Sequence, residues 1–289
     1  MTYLLHLGVM LGLYAMLALS ANMSIGYGGL LTLATAAFYG MGAYLYAWLT
    51  ATAGWSFLAA LPSTLAGAAL SGFLFAQVAL RFRSEAFTVA TMAVQTIAFG
   101  VFCNWTDVTG GAYGFPDIPR PSIFGLAFDS QGAFCALTLA SAAAVALLAW
   151  LFGRTRFALA LKALRDDEPA AATLGIAPRR VFTVAMVLSA AMAALPGALF
   201  AAYVSYVDPT GFSIGESVLV LAMLVVGGSG NLRGPVVGAA ILVLLPEALR
   251  FAGLPAEVAG PVREMTYGIL LVVLMYLKPR GLAGEYAIR

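Results

Sequence analysis

The stretch Gly153–Arg180 reads GRTRFALALKALRDDEPAAATLGIAPRR. It carries Arg154, Arg156, Lys162, Arg165, Arg179 and Arg180 beside Asp166, Asp167 and Glu168. Nearly everything before and after it is apolar. An island of charge between hydrophobic runs is either a linker or a docking surface. Its internal order, and the length of the runs beside it, decide the fold.

The runs settle the setting first. Of 289 residues, 62% are hydrophobic and 10% charged, with a mean hydropathy of +0.94. Soluble domains carry about 25% charged residues. A bilayer core about 30 Å thick needs roughly 20 apolar residues per helix. Segments of that kind lie at approximately 3–21, 30–50, 56–80, 86–105, 131–152, 182–205, 212–228, 234–250 and 262–277. They are long, unalternating and rich in Ala, Leu and Gly, which makes strands a poor alternative. The fold class is therefore all-α, a polytopic transmembrane helical bundle of eight to ten spans with broken helices. It forms one domain over 1–289, with 153–180 as a loop inside it. The N-terminus lacks the basic region of a cleaved signal and is expected to be a retained helix.

Orientation follows from Lys and Arg, which favour the cytoplasmic side. Alternating the spans puts Arg81, Arg83, the 153–180 island, Arg233, Lys278, Arg280 and Arg289 on one face, twelve of the fifteen basic residues. Arg120, Arg250 and Arg263 fall on the other, with Asp107, Asp117, Asp129, Asp208, Glu216 and Glu247. The island and the C-terminus are expected in the cytoplasm. Nine spans would leave the N-terminus outside, and a half-helix near Gly26–Gly29 would place it inside. The net charge of +2 offers no footing for nucleic acid.

Glycine-rich stretches at Gly26–Gly29, Thr109–Gly114 and Gly227–Gly238 interrupt the runs. They serve either close helix packing or a pathway walled by broken backbone, which survives in a membrane only against protein or water. The first and third share a loose glycine spacing. Gln95 and Asn104 are amides in an apolar helix, and Tyr27 and Thr35 lie near the broken second segment. Each is either a bond between helices or a pathway residue, as are Gly110 and Gly111. The connection 106–130 is a surface loop or a lip for an external partner.

Several chemistries are missing. Glu85, Glu216, Glu247, Arg263 and Glu264 all lie within a turn or two of a span end, so no ion-coupling group is expected at mid-depth. Both lysines, Lys162 and Lys278, follow Leu, which excludes the Gly-Lys pair of a phosphate-binding loop. Gly227-Gly228-Ser229-Gly230 resembles the nucleophile motif of rhomboid-type proteases. The only histidine, His6, comes far upstream, and such a serine needs a base in reach. No cluster has metal-ligand spacing. Cys103 and Cys135 read as small buried hydrophobes.

Within the island, Thr155–Leu164 reads as a short interfacial helix. RDDEP then starts a second one, with acids at its positive end and a proline suited to the first turn. Ala170–Leu174 is helical, and Gly175 stops it. A capped cytoplasmic helix is what a docking surface needs.

The segment from Leu161, LKALRDDEPAAATLGI, resembles the coupling segment RALRAIRDNEIAAEALGI of the M-type permease subunit of branched-chain amino acid ABC importers. Gly26–Tyr44, GYGGLLTLATAAFYGMGAY, is similar to that family's GYTGQLSLGHAAFFGIGAY. Thr109, Gly110, Gly111 and Gly114 match its TGGxxG. Ser189, Gly197–Ala201, Asp208, Pro209, Phe212 and Gly227–Ala239 follow its later run. The resemblance covers about Ala18 to Arg280. Thr35 stands where the family often has His, Leu30 where it has Gln, and Pro169 where a larger aliphatic is usual. Thr96 replaces a frequent Glu or Gln.

The resemblance implies a transport subunit of the bacterial inner membrane that is not itself an enzyme. Its partners would be a homologous second permease, two cytoplasmic ATPases and a periplasmic substrate-binding protein, with lipid around them. No cofactor would bind this chain, and ATP and magnesium would sit on the ATPases. Arg165, Asp166, Asp167, Glu168, Ala170, Ala171, Gly175 and Ile176 would form the ATPase-coupling segment, with closure of the ATPases tilting the spans at its ends. Relatives of the family move urea, short amides or aromatic amino acids, and this chain could do likewise. A passive channel or secondary transporter is the rival reading.

Overall fold

The computed structural model describes residues 2–82, 85–123, 126–128, 130–251, 265–269, 271–273, 276, 278 and 281–284. The helices are α1 Thr2–Ala21, α2 Thr35–Ala47, α3 Phe57–Ala79, α4 Glu85–Asn104, α5 Thr106–Thr109, α6 Gln131–Gly153, α7 Arg156–Asp166, α8 Glu168–Thr173, α9 Pro178–Val204, α10 Ile214–Gly227 and α11 Arg233–Phe251. A two-residue hairpin pairs β1 Ser122–Ile123 with β2 Leu126–Ala127. Among the described residues, five helical segments are long and apolar enough to cross a membrane: Thr2–Tyr27, Phe57–Ala79, Glu85–Asn104, Gln131–Gly153 and Pro178–Val204. Apart from that hairpin, the described residues form a helical bundle of membrane type.

α9 is the central post, packed against α1, α2 and α3. Small residues make this possible. A methyl at Gly42 would overlap the Ala194 backbone, and one at Gly197 would overlap the Tyr39 carbonyl. The α2–α9 crossing therefore needs glycine on both helices, which is the close packing that drives association in lipid. Phe212 fills the space beyond, with its ring against Tyr39, Tyr44, Phe102 and Phe200.

Two expected spans are shorter than their apolar runs. The run 30–50 becomes helical only at Thr35, because α1 continues into a π-helical turn, Asn22–Tyr27, followed by irregular backbone to Ala34. The run 212–228 yields α10, whose 14 residues reach about 21 Å, less than a bilayer core of about 30 Å. α10 also starts inside the bundle. The Phe212 carbonyl just before it accepts from Gln95 Nε2 at 2.8 Å, and Gln95 is near the middle of α4.

Conversely, the run 182–205 is extended backward. Pro178 opens α9, so Arg179 and Arg180 occupy its first turn. The expected span 262–277 lies only partly in the described residues, with 265–269 and 271–273 helical. Arg83, Asp129, Arg263, Glu264, Arg280 and Arg289 lie outside them.

The bundle has two distinct ends. At one, His6 Nδ1 lies 2.8 Å from the Tyr203 hydroxyl, Phe134 packs on Tyr203, and Phe115 in the 106–130 connection pairs with Val207. The other gathers the π-helical turn, the α6–α9 island, the α10–α11 turn and residues 281–283. There the Leu282 and Ala283 amides donate to Val226 and Gly227 carbonyls.

Candidate functional site

The island is two capped helices. Thr155 accepts from the Ala158 amide at 3.2 Å to start α7, and Asp167 accepts from the Ala170 amide at 2.9 Å to start α8. Pro169 sits in the first turn of α8, where its missing N–H costs nothing. Gly175 takes φ +85° just beyond its end, and the Ile176 amide closes back on the Ala171 carbonyl. Leu161, Leu164 and Ala171 are buried against Met23, Tyr27, Ala149 and Phe182. Arg165, Glu168 and Ile176 are half-buried, and Asp166, Asp167, Ala170 and Gly175 are exposed. Leu174 is 82% exposed, an apolar side chain presented outward from an anchored helix.

Arg165 points into the bundle end. Its guanidinium donates to the Gly26 carbonyl in the π-helical turn. Its aliphatic stem lies so close to Gly29 that a methyl there would sit 2.8 Å from Arg165 Cγ, at a residue already at φ +66°. On the far side of the same turn, the buried Asn22 carboxamide makes two bonds. Its Nδ2 donates to the Asn231 carbonyl at 2.8 Å, and its Oδ1 accepts from the Gly230 amide at 3.1 Å. Asn231 in turn donates to the Ala283 carbonyl and accepts from the Gly234 amide. The first and third glycine-rich stretches are thus neighbours, joined by one asparagine side chain. Beside them a cleft of about 720 Å³ opens between α7–α8, the irregular backbone at Gly28–Leu31, the α3–α4 turn and the start of α9.

A second constellation lies deeper. Thr35 opens α2 and is buried, and the next amide, of Ala36, donates to Ser217 Oγ at 2.9 Å. Ser217 Oγ also donates to Gln95 Oε1 at 3.3 Å. The Leu33 amide donates to Thr91 Oγ1 at 3.0 Å. The first turns of two short helices, α2 and α10, therefore meet beside the middle of α4, and Thr35 and Gln95 come together there. One residue before Ser217, Glu216 accepts from the Tyr14 hydroxyl at 2.5 Å. Tyr14 is midway along the helical segment Thr2–Tyr27. As expected, Glu216 lies within a turn of its helix end, in the first turn of α10; what the sequence did not tell is that this turn starts inside the bundle, beside the middle of the Thr2–Tyr27 segment.

The other candidates are dispersed. Tyr27 lies under α7, edge-on to Phe152 and 5.3 Å from Lys162 Nζ. Asn104 is exposed near the end of α4 and donates back to the Gly100 carbonyl. Gly110 and Gly111 take φ +73° and +62° in the turn after α5. Ser229 neighbours the Asn22 bracket, and sixteen helical positions separate Asn22 from His6, about 24 Å at 1.5 Å per residue. That distance removes the protease-like reading. Among the described residues, no group of His, Cys, Asp or Glu could hold a metal, and Cys103 and Cys135 are free thiols. Asn22, Ser217 and Tyr14 were not legible as site residues. Only Asn22 carried a signal, an amide placed directly before a glycine cluster.

Comparison with known proteins covers nearly the whole chain. Residues 3–277 match the family described as branched-chain amino acid transport system / permease component. The chain is 33% identical to the high-affinity branched-chain amino acid transport system permease protein LivM of Escherichia coli strain K12, over 93% of this chain and 67% of LivM. It is 28% identical to LivH of the same strain, over 96% of this chain and 94% of LivH. It is 29% identical to the autoinducer 2 import system permease protein LsrC of E. coli O9:H4, over 71% of this chain and 59% of LsrC. No solved structure matches.

Proposed function

The chain belongs to the branched-chain amino acid transport permease family, a permease subunit of ABC importers, and from that premise we propose that it carries branched-chain and other hydrophobic amino acids across the bacterial inner membrane. Two cytoplasmic ATPases supply the energy, a homologous second permease completes the pathway, and a periplasmic binding protein delivers the substrate. The domain is single over 1–289, with 153–180 as its coupling loop.

The observation that carries this reading is the α7–α8 pair. Two capped helices anchored by Leu161, Leu164 and Ala171 present Ala170, Ala172, Thr173 and Leu174 outward. A tether between α6 and α9 has no need of such order, whereas a lever pushed by an ATPase does. The absence of a phosphate-binding loop in the sequence agrees with energy entering from another subunit.

The path of the backbone favours nine crossings with the N-terminus outside. His6 is at the Tyr203 end of the bundle, and Ala283 is at the Asn231 end beside the charged island. The island is cytoplasmic by its basic residues, so the C-terminus is cytoplasmic too. Substrate moves by alternating access, and its selection rests chiefly with the binding protein. The polar groups assembled at Thr35, Gln95 and Ser217 are pathway candidates.

The test is uptake of labelled leucine, phenylalanine and urea by vesicles holding the full complex. ATP-dependent leucine accumulation is the expected result. A preference for urea or phenylalanine would move the chain to another substrate within its family, a shift for which Thr35 and Leu30 are the motivating positions. Uptake that ignores ATP would favour a channel or secondary transporter.

A further inference from the structure

The coupling helices touch more than the spans at their ends, and the contact has a direction. Arg165 leaves α7 and bonds the Gly26 carbonyl. Gly26 lies in the π-helical turn, where the chain stops being regular helix and stays irregular to Ala34. Four residues earlier in the same turn, Asn22 holds both Gly230 N–H and Asn231 C=O. A methyl at Gly26 would overlap the Asn22 carboxamide and lie 3.0 Å from the Gly230 amide. The bracket is therefore close-packed as well as hydrogen-bonded. Asn22 is fully buried, and both of its bonds go to main chain of the α10–α11 turn, so that turn cannot shift relative to the break without losing them.

Backbone at such a break has fewer internal bonds than a helix and yields first when pushed. The α10–α11 turn in turn sets α10, whose opposite end carries Ser217 and Glu216 beside Gln95 and Tyr14.

We propose that Asn22 is a positioning residue for transport: displacement of α7–α8 passes through Arg165 to the Gly26 carbonyl, and through Asn22 to the α10–α11 turn, so that α10 moves with the coupling helices. This rests on the reading of α7–α8 as the coupling segment. It differs from simple tilting of α6 and α9, because the load goes to the α1–α2 break and to a helix distant in sequence.

The experiment uses the full complex in lipid. Hydrogen–deuterium exchange of this chain is compared with and without ATP in the unaltered protein, in Arg165→Met, in Arg165→Lys and in Asn22→Ala. In the unaltered protein ATP should change exchange in both 156–176 and 227–234. In Arg165→Met and Asn22→Ala the change at 227–234 should fall about tenfold, within the range of coupling free energies between sites, while that at 156–176 persists. Arg165→Lys, which keeps a donor for the Gly26 carbonyl, should restore it to within about threefold.

Uptake per ATP hydrolysed is the second readout. Two breaks in one serial link should cost no more than one, so the double variant Arg165→Met/Asn22→Ala should match the weaker single variant. Additive losses, or an undiminished response at 227–234 in Arg165→Met, would overturn the proposal. Arg165 lies at a half-exposed site, so its variant tests the link even where Asn22→Ala fails to fold. Absence of ATP-driven uptake by the unaltered complex would instead count against the importer reading.

Discussion

The Tyr14 hydroxyl donates a 2.5 Å hydrogen bond to the Glu216 carboxylate, joining the middle of α1 to the first turn of α10. A carboxylate inside a membrane-type bundle needs donors, since lipid supplies none. Tyr14→Phe should lower the apparent stability of the purified protein by about 1.5–3 kcal/mol, the range for a bond to a charged group. Glu216→Gln leaves an acceptor for the same hydroxyl and should cost less. Thermal melting in a fixed detergent checks the order, and equal costs would mean that the bond contributes little.

Gln95 saturates the start of α10. It donates to the Phe212 carbonyl and accepts from Ser217. Gln95→Leu leaves both without that partner in a buried site and should cost about 1–3 kcal/mol. It should also reduce ATP-driven uptake, because α10 loses its register against α4. Melting and vesicle uptake, measured on one preparation, test both consequences together.

Glycines in this chain divide by what surrounds them. Gly26→Ala should prevent accumulation of folded protein, since the new methyl overlaps Asn22. Gly100 has open space around its missing side chain and lies within α4. Gly100→Ala should stabilise by about 0.5–1 kcal/mol through helix propensity and a less mobile unfolded chain. Membrane-inserted yield and melting temperature separate the two cases, and similar behaviour would argue against the close approach at Gly26.

Leu174 is the apolar tip of the α7–α8 pair. Leu174→Asp should insert normally yet lose co-purification with the ATPases. Glu168→Arg or Gly175→Arg should abolish ATP-driven uptake with membrane insertion unchanged. Co-purification followed by uptake is the measurement, and retained transport in both arginine variants would remove α8 from the coupling role.

Capping can be tested apart from docking. Asp167→Ala removes the acceptor for the Ala170 amide and should destabilise α8 by about 0.5–2 kcal/mol. Asp167→Asn keeps an acceptor and should stay within a few tenths of a kcal/mol. Proteolytic nicking at the 166–177 segment, compared between the two variants, reports the difference directly.

Residues 153–180 show how far local chemistry reads through. Thr155, Asp167, Pro169 and Gly175 each have a single short-range preference, for a cap, a first turn or a positive φ, and all four occupy those positions. Apolar runs of about 20 residues or more likewise announced α1, α3, α4, α6 and α9, because burial in lipid acts on each run independently. The site was less legible. Thr35 and Gln95 were picked out as polar groups in apolar surroundings, but nothing local tells that they share Ser217, or that Asn22 reaches Gly230 across more than two hundred residues.

By itself the sequence determined that this is a helical membrane protein, which segments are buried, where the charged island folds into two short helices, and what family it resembles. Those are consequences of hydropathy, capping and glycine geometry, which act over a few turns. Only the tertiary structure decided that α2 and α10 begin inside the bundle, that Glu216 therefore meets Tyr14 of α1, and that Arg165 grips the Gly26 carbonyl while Asn22 holds the α10–α11 turn. Depth and partnership depend on which helix stands beside which. In an apolar chain many neighbours satisfy the same hydropathy, and close approach of glycines such as Gly42 and Gly197, with the pairing of a few buried polar groups, selects among them.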